Sequence, residues 1–269
     1  MITKIPKPFF SIITVTLNNL DGLKRTHNSI KNQTLNDFEW IIIDGASTDG
    51  SAEYIKTTDA NWISEPDNGI YDAMNKGIER ANGEYLLFLN AGDELAAPET
   101  LAKIQNAATN TPAFIYGDAL ENDKYKPARK ANITSGMFTH HQSMLYNRKA
   151  LGNLRYDEQY KIAADYDFTA RFLKENPNAL YCPFPICNFE PGGLSQTNAT
   201  LGRNEQYQIR KTLGLTNPLS NIIITGSQAL LLTLRRTLPT LYWHLKSSGN
   251  SAPGNAQNHN QRARPETPA

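Results

Sequence analysis

The chain carries SIITVTL at Ser11–Leu17 and FEWIIID at Phe38–Asp44, two short runs rich in apolar and β-branched residues. Between these runs, Leu23, His27 and Ile30 recur at the spacing of one helix face. A strand, a helix and a second strand in this order are typical of a parallel sheet covered by helices. Residues 11–44 therefore predict an α/β fold.

The same alternation of strands and helices continues outward from this unit. Further strands are predicted at Asn61–Ser64, Tyr85–Leu89, Ala113–Asp118 and Gln142–Tyr146, and helices at Tyr71–Asn82, Pro98–Ala108 and Ala163–Glu175. Gly83 is predicted to end the second helix, as glycines after helices often do. Residues 121–140 are polar and irregular, which places a change in the organisation of the domain there.

Composition and charge describe an ordinary globular protein. The chain has 269 residues, of which 39% are hydrophobic, and a formal net charge of +1. This balance does not favour a dedicated nucleic-acid binder. Of 27 basic and 26 acidic residues, 8 and 2 lie from Arg203 onward, so a basic C-terminal part follows an acidic body.

Cysteine content and hydropathy indicate the compartment. Cys182 and Cys187 are too few for a disulfide framework and have no further cysteine beside them for a zinc site. The first residues lack the apolar core of a secretion signal, and no segment reaches the ~18 to 20 apolar residues of a membrane span. We therefore expect a reduced, cytoplasmic protein.

Polar residues follow four of the predicted strands at the point where each strand ends. These exits are Thr16–Asn19, Asp44–Gly50, Glu65–Gly69 and Asn90–Asp93. In open α/β sheets, ligands bind outside the carboxyl ends of strands, and glycines allow a ligand to approach the backbone. Taken alone, an exit such as Asp44-Gly45 is more often just a turn. The convergence of the four exits predicts a site for a polar ligand or a metal.

Two common nucleotide motifs are absent from the sequence. It contains neither the glycine-rich P-loop nor the dinucleotide fingerprint. Few basic residues lie near the strand exits. A divalent cation that bridges carboxylate and diphosphate is therefore the expected means of neutralising a bound nucleotide, which indicates Mg²⁺ or Mn²⁺.

Several segments resemble the family 2 glycosyltransferases, whose nucleotide-binding half has the GT-A fold. The resemblance is carried by FFSIITVTLNN, SIKNQTLNDFEWIIIDGASTDGS, SEPDNGIYDAMNKGIERANGEYLLFLNAGDEL, HHQSMLYNRKAL, YKIAADYDFTARF and GGLS, which span Phe9–Ser195 in the family's order. The stretch Asp67–Asp93 is the most specific. The resemblance implies a Rossmann-like, mostly parallel sheet flanked by helices, and is closest to enzymes of bacterial exopolysaccharide or O-antigen synthesis. Beyond the resembling stretch, the sequence predicts a C-terminal helical extension.

The resemblance also implies residues that bind the nucleotide-sugar donor. They are Thr16, Asn18, Asp44, Asp67, Asn90 and Ala91. Thr16 and Asp44 match positions that contact the base and ribose. The segment Asn90–Asp93 stands where the family carries an Asp-x-Asp-Asp metal motif. Here Asn90 and Gly92 replace two carboxylates, so Asp93 is left as the only negative ligand for Mn²⁺ or Mg²⁺.

Asp165 matches the general base of the family, which would take the proton of the acceptor hydroxyl. A first-turn carboxylate that simply favours the helix N-terminus is the alternative. Three further residues are expected near the acceptor or the diphosphate: His141, Ser195 and Arg203. His141 could equally be a hydrogen bonder at a strand entry, and Arg203 could equally be solvated.

The resemblance therefore implies an inverting transfer of a hexose, from a UDP-sugar by default, to a glycan or lipid-linked acceptor. Within the resembling domain we expect a donor-binding half (1–120) and an acceptor-side half (121–215). The sequence after it predicts a helical segment (216–246) and, from its polar composition, a disordered tail (247–269). Two rivals remain: a non-catalytic nucleotide-sugar-binding module, favoured by the lost carboxylates, and a sugar nucleotidyltransferase, which would need a basic loop after the first strand.

The C-terminal helical segment has two interpretations. Arg235, Arg236 and Lys246 accompany a leucine-rich stretch in this segment. The segment either lies on the anionic inner face of the bacterial plasma membrane, beside a lipid-linked acceptor, or is buried in a homodimer.

Overall fold

The computed structural model describes residues 7–238, apart from the side chains at positions 194, 195, 235 and 236. The strands in this part are β1 (Phe10–Thr16), β2 (Phe38–Asp44), β3 (Asn61–Ser64), β4 (Tyr85–Phe88), β5 (Glu94–Leu95), β6 (Phe114–Glu121), β7 (Lys124–Lys126), β8 (Met144–Asn147) and β9 (Ala179–Phe189). The helices are α1 (Leu20–Lys31), α2 (Ser51–Ile55), α3 (Ile70–Arg80), α4 (Thr100–Ala107), α5 (Arg148–Leu151), α6 (Ala164–Glu175), α7 (Leu194–Thr197), α8 (Ala199–Thr212) and α9 (Pro218–Thr237).

All described strands belong to one mixed sheet. Its order is β3-β2-β1-β4-β8-β6-β9-β5, with β7 paired to β6. The four longest ladders, β6 with β9, β1 with β2, β1 with β4 and β2 with β3, are parallel. The shorter ladders of β4 with β8, β6 with β8, β6 with β7 and β5 with β9 are antiparallel. The predicted α/β fold with a mostly parallel sheet is confirmed.

Helices cover both faces of this sheet, which explains the unbroken apolar strands. On one face Leu23 of α1 and Ile104 of α4 join a core cluster, and on the other Met74 of α3 and Phe168 of α6 join a second. Full burial of such side chains contributes about 1.5 to 3 kcal/mol each. The packing of α3 and α6 on one face fixes the N-termini of both helices near the edge where β1 and β4 end.

The prediction for Gly83 is wrong. Helix α3 already ends at Arg80, and Ala81 is extended, with ψ of 130°. Gly83 instead lies against the backbone of β1, where a Cβ atom would stand 2.5 Å from the amide nitrogen of Ser11. Close approach of two backbones, rather than helix termination, explains this glycine.

The segment 121–140 is more ordered than its sequence predicts. Asn122 and Asp123, both with positive φ, form the two-residue connection of a hairpin between β6 and β7. Mirror-image turns of this kind match the twist of the strands but usually carry Asn-Gly or Asp-Gly, so Asn-Asp is a weaker sequence signal. The hairpin brings residues 127–143 back across the sheet toward the site.

The C-terminal part is described in two units. Residues up to Thr225 form one compact unit, which contains the sheet, and the rest of α9 belongs to a second. Within residues 7–238, no helix has the length and apolar character needed to cross a membrane. Lys246, the predicted tail 247–269 and the side chains of Arg235 and Arg236 lie outside the described residues. Cys182 and Cys187 are free and buried.

Candidate functional site

A cleft of about 790 Å³ opens at the edge of the sheet where β1 and β4 end. Its walls come from these strand exits, from the N-terminal turns of α3 and α6, and from the segments 137–142 and 189–196. A volume of this size lies within the usual range for small-molecule sites. Its place at the carboxyl ends of parallel strands agrees with the rule for open α/β sheets.

Seven of the eleven residues predicted from the sequence line this cleft. They are Thr16, Asp67, Asn90, Ala91, Asp93, His141 and Asp165. These positions are up to 149 residues apart in the chain. The structure therefore brings the predicted donor, metal and base positions to one cavity.

Asp44, Asn18 and Arg203 do not line the cleft, and the side chain of Ser195 lies outside the described residues. Asp44 is fully buried, and its carboxylate accepts hydrogen bonds from the hydroxyls of Ser47 and Ser64. The Asn18 side chain accepts a hydrogen bond from the Thr48 amide at 2.8 Å. In this structure these two side chains join the strand exits behind the cleft, and their contacts with a donor remain predictions.

Asp93 is held at the floor of the cleft by two neutral donors. Its Oδ1 accepts from the Glu190 amide at 2.9 Å, and its Oδ2 accepts from Gln142 Nε2 at 2.7 Å. The residue is 4% exposed. Burial raises the pKa of the Asp93 carboxyl to about 7, against the two hydrogen bonds, and the nearby Glu190 charge adds to the rise.

The turn that carries Asp93 is packed against the end of β9. Gly92 has φ of +107°, and a Cβ atom there would stand 1.9 Å from a carboxylate oxygen of Glu190. Glu190 also pairs with Arg25 of α1. Thr26 supports the turn from below, since its hydroxyl donates to the Asp93 carbonyl at 2.7 Å and accepts from the Gly92 amide at 3.0 Å. The positive φ at position 92 favours glycine, whereas the Glu190 carboxylate is the end of a flexible side chain that could move aside.

Four buried polar atoms on the cleft have no hydrogen-bond partner. They are Thr16 Oγ1, Asn90 Oδ1, Gln142 Oε1 and His141 Nε2. A buried polar atom without a partner costs about 1 to 3 kcal/mol, so a cluster of them on one cavity indicates groups that bind a ligand. Three of the four are oxygen atoms, the ligand type that hard divalent cations prefer.

The residues around Asp93 therefore fit a divalent cation. Asp93 supplies a carboxylate, and Asn90 and Gln142 supply unpartnered amide oxygens. A bound cation would also favour the ionised form of this buried carboxyl. Among residues 7–238, however, no group of three or more histidine, cysteine or acidic side chains is placed to hold a metal. Remaining ligands would have to come from the diphosphate of a donor or from water.

Asp165 lies in the first turn of α6 and lines the cleft. Its Oδ1 accepts from the Tyr166 amide at 2.7 Å, and its side chain keeps 23% exposure. Burial raises the pKa of the Asp165 carboxyl to about 6, and the charge of Glu205 contributes to the rise. Near pH 7 this carboxylate is ionised, accessible and close to the pKa expected of a general base.

His141 stands beside Asp165, with Nδ1 3.7 Å from Asp165 Oδ2. Burial lowers the pKa of His141 to about 4, so the imidazole is neutral near pH 7 and the contact is not an ion pair. A neutral imidazole with an unpartnered Nε2 can donate to, or accept from, a ligand hydroxyl. It leaves the negative charge of Asp165 uncompensated.

Sequence reasoning missed several residues of this cleft, among them Lys161 and Gln196 as well as Gln142 and Glu190. Gln142 follows His141 directly, so the same segment contained the signal. Glu190 stands at the end of β9 and reaches Asp93 only because β9 pairs with β6 and β5. No local pattern marks such a residue.

Comparison with known proteins agrees with this geometry. The family model described as "Glycosyl transferase family 2" matches residues 11–176. A "PGL/p-HBAD biosynthesis glycosyltransferase" of Mycobacterium bovis is 33% identical over 206 residues, which cover 71% of this chain and 80% of that protein.

Solved structures with the same fold include S. aureus TarS 1-349 in complex with UDP-GlcNAc, with a TM-score of 0.64 and 17% identity over 88% of this chain and 75% of that one. A mannosyltransferase from Pyrobaculum calidifontis, in complex with GDP-Man and Mn²⁺, has a TM-score of 0.62 and 16% identity over 91% and 80% of the two chains. At these identities the likeness shows the GT-A fold. The family match covers more than half of the chain, and the chain therefore belongs to glycosyl transferase family 2.

Proposed function

We propose that this glycosyltransferase moves a hexose from a UDP-sugar to a hydroxyl group of a glycan or lipid-linked acceptor, with inversion at the anomeric carbon. The observation that carries the proposal is the shared cleft. It joins an ionised, accessible carboxylate at Asp165 to a turn at Asn90–Asp93 with unpartnered oxygen atoms. The Asp165 carboxylate suits an acceptor hydroxyl, and the Asn90–Asp93 turn suits the diphosphate of a donor.

In the proposed reaction, a carboxylate oxygen of Asp165 takes the proton of the acceptor hydroxyl. The freed oxygen attacks the anomeric carbon while the bond from that carbon to the diphosphate oxygen breaks. The nucleoside diphosphate leaves with the bonding electrons. A divalent cation, Mn²⁺ or Mg²⁺, held by Asp93 and Asn90 would stabilise the charge of this leaving group. One displacement inverts the configuration.

We assign the two halves of the domain to the two substrates. Thr16, Asp67, Asn90 and Asp93 all lie in residues 1–120, which we assign to the donor. His141 and Asp165 lie in residues 121–215, which we assign to the acceptor. Support for a uridine or guanosine donor comes from the relatives, one bound to UDP-GlcNAc and one to GDP-Man with Mn²⁺.

The stereochemistry of the product tests this proposal. A panel of UDP- and GDP-linked hexoses is incubated with Mn²⁺ and an oligosaccharide acceptor mixture, and the anomeric proton coupling of the product is measured by NMR. We expect an inverted linkage and release of one nucleoside diphosphate per transfer. A product with retained configuration would contradict the displacement, and donor binding without any transfer would favour a non-catalytic binding module.

We also propose that the C-terminal helix contacts an anionic membrane in a bacterium, which would place a role in cell-surface polysaccharide synthesis at the inner face of the plasma membrane. Support comes from exposed apolar side chains in this region: Leu219, Ile222, Ile223, Leu230, Leu231 and Leu238. The sequence between Glu205 and Glu266 contains no acidic residue. Apolar and basic residues together favour an anionic bilayer surface.

Vesicle sedimentation measures this contact. The full chain is expected to sediment with phosphatidylglycerol vesicles, to bind phosphatidylcholine vesicles much less, and to be released by salt. The double variant Ile222→Asn, Ile223→Asn is expected to lose most of the binding. If the chain binds neither kind of vesicle but forms a homodimer in a concentration-dependent way, the helix is instead buried in a dimer interface, which is the alternative interpretation.

A further inference from the structure

The N-terminus of α6, the helix that carries Asp165, lacks a capping side chain of its own. The N-cap position is Ala163, which has no side-chain acceptor. The first backbone amides of a helix have no partner within it, and Ser, Thr, Asp or Asn usually supplies one. The amides of Lys161, Ile162 and Ala163 belong to the loop just before this helix. They too donate hydrogen bonds to an acceptor elsewhere in the chain.

That acceptor is Glu205 of α8. Its Oε1 accepts from the Lys161 amide at 2.8 Å, and its Oε2 accepts from the Ile162 and Ala163 amides at 2.9 and 2.8 Å. Hydrogen bonds to an ionised acceptor are roughly twice as strong as neutral ones. Three such bonds from consecutive amides fix the backbone immediately before the base.

The loop of residues 161–163 is contacted by α8 on one side and by α3 on the other. A Cβ atom at Gly202 would stand 2.8 Å from Cγ2 of Ile162, so glycine allows the helix to approach. On the other side of the loop, the Tyr71 hydroxyl donates to the Ile162 carbonyl at 2.7 Å. The loop is held between α3 and α8.

Helix α8 is itself anchored by a buried arginine. Arg210 is fully buried, its Nε donates to Asn221 Oδ1 at 2.6 Å, and an Nη atom donates to Thr225 Oγ1 at 2.9 Å. The family match ends at residue 176, so α8 lies beyond it. The anchor of the loop is thus supplied by a part of the chain outside the matched stretch.

We propose that Glu205 is a positioning residue for catalysis, which holds the backbone of residues 161–163 and thereby the orientation of Asp165 in the cleft. This inference rests on the proposed role of Asp165 as the base. Glu205 does not line the cleft and needs no contact with substrate. It acts through the three amides and through its negative charge.

The charge of Glu205 gives the inference a measurable signature. Several titratable groups face Asp165 from the elements packed against it: His141, Tyr71, Tyr146, Tyr156 and Glu205. Burial keeps His141 and the three tyrosines neutral near pH 7, since it lowers the pKa of His141 and raises the pKa of each tyrosine. Glu205 is thus the charged neighbour, and its removal should make Asp165 easier to ionise.

The test compares three variants of the full chain with wild type. In Glu205→Gln only one oxygen can accept, so at least one amide loses its partner. We expect kcat to fall about tenfold to a hundredfold, as displaced catalytic groups do, and the acid limb of kcat/KM to move to lower pH. Amide exchange at residues 161–163 should become faster. Glu205→Asp keeps the charge and should recover part of kcat, with an acid limb close to that of wild type.

Glu158→Gln is the matched control. It removes one carboxylate from the same loop, and Glu158 instead contacts Asn75 at 3.4 Å. Kinetics and amide exchange of this variant should equal those of wild type. A uniform loss of kcat at every pH in Glu205→Gln, with no change in the acid limb, would overturn the inference in favour of a merely structural role.

The proposed function and this inference fail in different ways. An inactive Asp165→Asn variant beside a Glu205→Gln variant with wild-type kcat and acid limb would overturn only the role of Glu205. Wild-type turnover in Asp165→Asn would overturn the base and, with it, the positioning role. In a Glu205→Gln protein that does not fold, Glu205→Asp decides through kcat and amide exchange together. Faster exchange at residues 161–163 with a lowered kcat would support the role, and faster exchange with wild-type kcat would overturn it.

Discussion

Replacement of Asp165 by asparagine is expected to lower kcat/KM for sugar transfer by about 10² to 10⁴, the usual contribution of a general base. Asparagine keeps the shape of the side chain and can still accept from the Tyr166 amide, as Oδ1 of Asp165 does. It cannot take the acceptor proton. Release of nucleoside diphosphate in the presence of donor, acceptor and Mn²⁺ measures the loss, and calorimetry should show unchanged donor affinity.

The pH profile of the wild-type enzyme should report the same group. Because the active form of Asp165 is ionised, kcat/KM should fall as the pH drops through about 6, the raised pKa of this carboxyl, and by tenfold for each further unit. Asp93 on the same cleft also has a raised pKa, of about 7, and a bound cation favours its ionised form, so the profile is measured at saturating Mn²⁺. Under that condition the residual activity of Asp165→Asn should lack this acid limb. A limb that survives in the variant would assign the titration to another group.

Asp167 provides the control on the same helix. It is 4% exposed and pairs with Arg171, so its carboxylate is engaged away from the cleft lining. We expect Asp167→Asn to melt at a lower temperature but to keep nearly wild-type kcat/KM. If Asp167→Asn loses turnover and Asp165→Asn does not, the base has been assigned to the wrong carboxylate.

The fold could be predicted from sequence because strand and helix periodicity are local. The residues Phe38–Asp44 and Asn61–Ser64 are strands with the bounds that their apolar runs predict. Strands β5 and β7 were missed, since two or three residues carry no periodicity. Their partners, β9 and β6, supply the hydrogen bonds that make them strands, and that pairing is decided by tertiary structure.

The site could be predicted where a residue lies at the end of a strand or just beyond it, as Thr16 and Asn90 do. Asp44 also lies at the end of a strand, but it is buried and does not line the cleft. Its carboxylate instead accepts hydrogen bonds from the hydroxyls of Ser47 and Ser64. Sequence position alone cannot distinguish a side chain that faces a ligand from one that ties two loops together. Glu205 is the opposite case: it lies 40 residues beyond Asp165 and belongs to no motif, and only the packing of α8 on α6 indicates the role that we propose for it.

Replacement of Asp93 by asparagine should produce the second large effect, on donor binding. The two oxygens of Asp93 accept from the Glu190 amide and from Gln142 Nε2. Asparagine has one acceptor, so its amide nitrogen must face one of these donors, at a cost of about 1 to 3 kcal/mol. The variant also loses the only carboxylate of the Asn90–Asp93 turn. Both changes would weaken the binding of a cation held together with the diphosphate.

Calorimetry with UDP, with and without Mn²⁺, measures this effect. For wild type we expect tighter UDP binding when Mn²⁺ is present, and for Asp93→Asn we expect most of that gain to disappear, with kcat/KM lower by about 10². Glu94→Gln removes the neighbouring charge on β5, outside the cleft lining, and should behave as wild type. Equal UDP affinity of wild type and Asp93→Asn at every Mn²⁺ concentration would show that charge at this turn is not what holds the donor, and would direct attention to Lys161, a cation on the cleft wall.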